Sequence, residues 1–125
     1  MTDVLQIELV AADRVVWSGE ATDAIARTVD GDLGILVNHA PLLSLLTEGV
    51  VKITPVEGDA VIAAVEDGFL SVAHNRVSIL SEDTYLAGEI DVAAAKTELE
   101  AAQAADDEVA IRRADAKIRA VEMAS

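Results

Sequence analysis

The feature that most constrains this chain is a change of hydrophobic period near residue 87. Before it, apolar residues recur at every second position in short runs. After it, they recur at every third or fourth. Leu5, Ile7 and Leu9 alternate with Gln6 and Glu8, the pattern of a strand with one buried face. Similar runs at Val15–Trp17, Ala24–Val29, Val50–Val56, Ala60–Val65, Phe69–Val72 and Val77–Leu80 predict further strands. Between them stand Ser18-Gly19, Asp30-Gly31, Glu57-Gly58-Asp59, Asp67-Gly68 and His74-Asn75. Glycine adopts positive φ freely and Asn and Asp tolerate it, so these pairs read as tight turns. Many short strands joined by such turns predict an antiparallel β-sandwich or flattened barrel over residues 1–87.

Residues 92–125 contain neither Gly nor Pro and are rich in Ala, Glu, Lys and Arg, all good helix formers. Asp91 is placed to cap a helix, with Ile90 just outside it. Val92, Ala95, Leu99 and Ala102 form one narrow apolar stripe, and Ile111, Ala114, Ile118 and Val121 form another. Asp106-Asp107-Glu108 separates the two and puts acids at the start of the second helix, where its dipole favours them. The segment 88–125 is thus predicted to be a two-helix antiparallel hairpin, and the fold class is α+β. Leu99, Ile111, Ile118 and Val121 are its only large anchors. At about 1.5–3 kcal/mol for each fully buried aliphatic, the packing gain is modest against the entropy of ordering. A permanently docked hairpin and one that undocks both fit that balance.

The composition excludes several classes of function. A net charge of −14 is wrong for phosphate backbones and for anionic lipid surfaces. Without cysteine there is no disulfide scaffold, thiolate metal site or cysteine nucleophile. The N-terminus shows no basic stretch followed by an apolar run, so no secretory signal is expected, and nothing approaches the roughly 18 apolar residues of a membrane span. The two histidines, His39 and His74, lack the surroundings of a catalytic triad. No His pair at helical spacing or calcium-type loop occurs, so catalytic residues, cofactor and metal are all predicted to be none. Gly31-Asp32-Leu33-Gly34 lacks the Lys-Ser/Thr of a phosphate loop, and Asp32 would repel phosphate, so it reads as a turn.

Two clusters point instead to contacts. Pro41-Leu42-Leu43 and Leu45-Leu46 are either ordinary core or an exposed docking ridge. Only four Lys or Arg residues precede residue 92 (Arg14, Arg27, Lys52 and Arg76), whereas Arg112, Arg113, Lys117 and Arg119 crowd the second helix. They either stabilise a solvated helix by i,i+4 and dipole effects or form a latch onto an acidic partner surface. A stand-alone small-molecule binder is the competing function, although an aliphatic core with few polar groups suits it poorly.

The run Gly31-Asp32-Leu33-Gly34-Ile35-Leu36, followed by His39, Pro41-Leu42-Leu43, Leu46 and Gly49, closely resembles the signature segment of the epsilon subunits of F-type ATP synthases. Gly68-Phe69-Leu70-Ser71-Val72 with Asn75, Val77 and Ile79-Leu80 resembles a second family segment. Trp17-Ser18-Gly19 and Glu89-Ile90-Asp91 match the early hairpin and the approach to the helices. The likeness spans essentially the whole chain, and the short alanine-rich hairpin looks like actinobacterial members.

The resemblance implies a β-sandwich followed by a two-helix domain in a non-catalytic subunit of the rotating central stalk. That subunit would bind the gamma subunit and the c-ring, couple proton translocation to ATP synthesis, and sit peripherally on the cytoplasmic face of the bacterial membrane. Its helical hairpin, here with Asp91, Leu99, Arg112, Arg113, Lys117 and Arg119, would reach the alpha and beta catalytic subunits and restrain ATP hydrolysis. By position in the motif, Gly31, Asp32, Leu33 and Gly34 would face the c-ring. His39, Pro41, Leu42 and Leu43 would lie at gamma. Val37 and Asp67 replace the usual Pro and first Gly. Some bacterial members bind ATP through Ile-Asp-x-x-Arg-Ala, but here Ala94 stands in place of the Arg and removes the phosphate partner.

Overall fold

The computed structural model describes residues 3–125. Nine strands run in order as β1 (Leu5–Val10), β2 (Val15–Thr28), β3 (Gly31–Leu36), β4 (Leu42–Leu46), β5 (Gly49–Pro55), β6 (Val61–Val65), β7 (Gly68–Ala73), β8 (Arg76–Ser81) and β9 (Thr84–Leu86). A short 3-10 turn at Ala87–Glu89 leads to helices α1 (Val92–Ala104) and α2 (Glu108–Ala124). The strands pair in the order β1-β8-β7-β4-β2-β5-β6-β9. β3 branches from β2, and a β1–β2 pairing closes the ring. Among the described residues every pairing is antiparallel except β1 with β8. The architecture is a β-sandwich followed by two helices, and Leu5, Ile7, Leu9, Ile35, Val51, Ile53, Leu70 and Ile79 fill its core.

Two expectations are corrected. Ser18-Gly19 is not a turn: β2 runs through it for 14 residues and pairs along its first half with β1. The glycine there makes room for an aromatic ring, since a Cβ on Gly19 would lie 3.0 Å from the Trp17 indole. Gly31-Asp32-Leu33-Gly34 is not a turn either: it lies in β3, and from there to Gly49 only Val37–Pro41 and Thr47–Glu48 lie outside the strands. By contrast, His74 and Asn75, with φ of 51° and 62°, make the expected two-residue turn between β7 and β8.

Asp91 caps α1 by accepting from the Ala94 N–H at 3.2 Å, and Asp107 caps α2 through the Ala110 N–H at 3.2 Å. Between them Asp106 takes φ 57°, the Asp106 N–H donates to the Gln103 carbonyl, and the Asp107 N–H donates to the Ala102 carbonyl, closing α1 as a Schellman turn. The predicted stripes do face each other, with Ala95, Ala102, Ala114 and Ile118 buried. Of the four expected large anchors only Ile118 is buried, while Leu99, Ile111 and Val121 are half-buried. A second face of α2 was not anticipated: Ala116 and Ala120 pack on Ile62 and Ala64 of β6. The strand thus buries both sides, Ala63 and Val65 to the sandwich core and Ile62 and Ala64 to the helix.

Candidate functional site

Among the described residues neither histidine meets the partners of a catalytic triad. His39 Nδ1 lies 2.7 Å from the Ala40 carbonyl, and His74 is exposed in its turn. No cluster of His, Asp and Glu able to hold a metal ion occurs among the described residues. What the fold does build is three surfaces.

The first is the outer face of β4, β7, β8 and β1. Pleating sends alternate residues to opposite sides, so the leucine segment divides. Leu46 is buried and Leu42 half-buried against the core, whereas Leu43 and Leu45 are 73% and 51% exposed. Register then aligns Leu45 with Phe69, Phe69 with Leu80, and Leu80 with Val10. Phe69 and Leu80 are 52% and 46% exposed, which gives a continuous apolar row across four strands. An open groove of about 390 Å³ continues from it past Ala11, Gly68 and Ser81. The segment divides between core and surface: Leu42 packs on the core and Leu43 is exposed. Phe69 and Leu80 give no sign of exposure in the sequence, because only strand register makes them neighbours of Leu45.

Gly68 holds this face together. A Cβ there would lie 1.9 Å from the Leu80 carbonyl oxygen, so β7 and β8 approach as closely as they do only because the position is glycine. At the opposite end, the Asn38 N–H donates to Asn75 Oδ1 at 2.6 Å, and Asn75 Nδ2 donates to Asn38 Oδ1 at 3.2 Å. This staple fixes the turn that carries His39 and Pro41 to the β7–β8 hairpin. Val37 packs against the core from the same turn.

The second surface is the β2–β3 arm. Gly31 (φ 114°) ends its turn, and buried Thr28 secures it by donating to the Gly31 carbonyl at 2.8 Å and accepting from the Asp30 N–H at 3.2 Å. Asp32 is exposed and pairs across the strands with Arg27 at 2.7 Å, Leu33 packs partly on the core, and Gly34 faces open space. Val29 and Leu36, 59% and 65% exposed, give the arm apolar contact area.

The third surface joins the hairpin to the sandwich. Three of the four basic residues are engaged within the chain, and among the described residues none of their ion pairs is at i,i+4. Arg112 reaches Glu48 at 3.3 Å, Arg113 reaches Glu66 at 3.3 Å, and Lys117 bonds Glu98 of α1 at 3.0 Å while its ammonium sits 4.8 Å from the Tyr85 ring centroid. Arg119 makes no ion pair among the described residues. It borders a small recess with Arg27, Asp32 and Lys52. Burial, the largest single influence, pushes the Glu48 carboxyl up. Bonds from its own backbone, the Thr47 hydroxyl and Arg112 outweigh it and hold the group below the ordinary carboxylate range. Glu66 goes the other way: burial foremost, then its hydrogen bond to Asp83, raise it to about 7 against the pull of Arg113 and Lys117. Beside Ala94, a recess of about 150 Å³ is lined by Glu89, Asp91, Glu98 and Lys117, with acids outnumbering the one cation.

The family model for the beta-sandwich domain of the ATP synthase Delta/Epsilon chain matches residues 4–87. The chain belongs to the ATP synthase delta/epsilon family. It is 52% identical over 121 residues to the ATP synthase epsilon chain of Streptomyces avermitilis, covering 97% of this chain and 98% of that one. To the epsilon chain of Streptomyces coelicolor it is 49% identical over 120 residues, covering 96% and 97%. The fold is similar to a chain in the mitochondrial ATP synthase of Euglena gracilis, with a TM-score of 0.77 at 20% identity, covering 99% of this chain and 82% of that one. The actinobacterial likeness of the hairpin agrees with these relatives. Membership makes the chain a non-catalytic subunit of ATP synthase. Among the described residues no helix is long and apolar enough to cross a membrane.

Proposed function

We propose that this epsilon-family chain is the coupling and regulatory subunit of the rotor's central stalk, held peripherally at the cytoplasmic face of the membrane through the complex. The observation that carries the reading is the apolar row Leu45–Phe69–Leu80–Val10 with Leu43 beside it. In a chain of net charge −14, such a row is costly to leave in water and fits a partner that covers it. We assign that face, with His39 and Pro41 at its end, to the gamma subunit, and the arm from Gly31 to Gly34 to the c-ring. Proton-driven rotation of the ring would then be passed to the stalk through both contacts.

The hairpin over residues 88–125 is the regulatory arm in this account. It would leave the sandwich, extend toward the alpha and beta subunits and restrain ATP hydrolysis. Its interface with the sandwich is small-residue packing around Ala116 and Ala120 plus two partly exposed ion pairs. Such an interface opens more easily than a large hydrophobic one. The test is to delete residues 90–125 and reconstitute the enzyme. Assembly should be kept and hydrolysis should rise several-fold. Unchanged hydrolysis in an assembled enzyme would overturn the regulatory part.

A further inference from the structure

Three of the chain's nine basic side chains line one recess where the sandwich meets the hairpin, in a chain that carries 23 acids and a net charge of −14. Each arrives there for a local reason. Ile25 and Arg27 alternate with buried Ala24 and Ala26, so both stand on the outer face of β2, and register sets half-buried Lys52 of β5 opposite Ile25. α2 packs Ala116 and Ala120 on β6 of the same sheet. Arg119 and Met123, one helical turn apart, then line the recess from the helix side. Gly49 seats the Arg27 stem: a Cβ there would lie 2.6 Å from Arg27 Cβ and 2.8 Å from its Cγ.

The charges in this recess do not cancel. Its one acid, Asp32, is already held by Arg27 Nε at 2.7 Å. Among the described residues the terminal nitrogens of Arg27, the Lys52 ammonium and the Arg119 guanidinium donate to no other side chain. Three cations against one acid around a space of about 70 Å³ repel one another, in a chain with more than twice as many acids as bases. An anion from outside relieves that repulsion. Two guanidinium forks and a lysine point charge are the donors that suit a tetrahedral oxyanion. The other walls, Ile25, Val50 and Met123, are aliphatic and offer no ring for a nucleobase to stack on.

We propose that this recess is an oxyanion site that takes inorganic phosphate, with Arg27 and Lys52 supplied by the sandwich and Arg119 by α2. The terminal phosphate of a nucleotide is the other source of the same chemistry. The space favours the free ion. It holds one tetrahedral group, and the rest of a nucleotide would lie in solvent with no contact to offset the cost of ordering it. The site shares no residue with the recess beside Ala94. Because one of its three cations comes from the hairpin, it is complete only while α2 lies on the sheet.

The test titrates inorganic phosphate into the isolated full-length chain, labelled with nitrogen-15, near neutral pH and at constant ionic strength. The Nε–Hε signals of Arg27 and Arg119 should shift together and saturate with one Kd of about 1 mM. Arg119→Gln and Lys52→Gln should each weaken that Kd roughly tenfold, the loss of one partly exposed charge-assisted contact. Arg76→Gln, which removes an exposed cation of β8 outside the recess, should leave it unchanged. Backbone amide spectra identify any variant that has merely unfolded. Shifts that grow without saturating and appear equally at Arg76 reflect general ionic attraction and overturn the site. A Kd that Arg119→Gln and Lys52→Gln leave alone also overturns it. ATP at the same concentrations should saturate neither arginine. If it does, and both variants weaken it alike, the assignment to the free ion is overturned in favour of a nucleotide's phosphate.

Discussion

Replacing Gly68 with alanine tests whether the outer face depends on one close approach. The added methyl would sit 1.9 Å from the Leu80 carbonyl oxygen and 2.9 Å from both the Leu80 carbonyl carbon and Ser81 Cα. All three are backbone atoms, so no side chain can rotate away. Reaching ordinary contact of about 3.5 Å requires β7 and β8 to separate by more than ~1 Å at the Gly68–Ser81 pair. Overpacking typically costs about 1–3 kcal/mol, and a clash with backbone belongs at the top of that range. For a chain this size, about 3 kcal/mol corresponds to a fall in Tm of roughly 10 °C. Gly88→Ala is the control, because nothing lies within 4 Å of a Cβ there. Reduced freedom of the unfolded chain should leave that variant unchanged or more stable by about 0.4–1 kcal/mol. Scanning calorimetry of both variants decides the matter. A Gly68→Ala protein melting within about 3 °C of wild type would refute the reasoning, since the strands would then accommodate a methyl cheaply.

Other outcomes follow from the same geometry. Glu48 is held below its ordinary pKa, so the stability it contributes is present above the ordinary value and lost as pH falls through the lowered one. Arg112→Ala should therefore cost about 1 kcal/mol at pH 7 and less at roughly pH 3, as read by urea melts; an equal loss at both pH values would contradict this. ATP titrated into the full chain should give no saturable heat at millimolar concentration, because Ala94 leaves Lys117 alone among Glu89, Asp91 and Glu98. A fitted binding isotherm would disprove that expectation.

Local chemistry was legible in the sequence, and long-range register was not. Asp91 and Asp107 announce their helices because a cap is decided within three residues. His74-Asn75 announces its turn for the same reason. Gly31-Asp32-Leu33-Gly34 misled, since its two glycines suggest a turn, yet pairing with β2 makes it strand. Ser18-Gly19 misled because a glycine that accommodates an indole looks, in sequence, like one that makes a turn. Alanine conceals its role in the same way: Ala116 and Ala120 are good helix formers anywhere, and only the position of Ile62 and Ala64 makes them an interface. The partners of Arg112 and Arg113 lie far away in the chain, at Glu48 and Glu66, beyond the reach of any i,i+4 rule. The apolar row was invisible for a related reason, because Leu45, Phe69 and Leu80 become adjacent only once three strands are in register.

The central claim, that this row is the seat of the gamma subunit, is tested most directly by the affinity of purified gamma for a Leu45→Ser, Phe69→Ser double variant. Both side chains are about half exposed in the free chain, so their loss should leave Tm nearly unchanged. If each gives up about 1.5 kcal/mol of burial on binding, Kd should weaken by roughly 100-fold. A folded double variant that binds gamma with wild-type affinity would contradict the account.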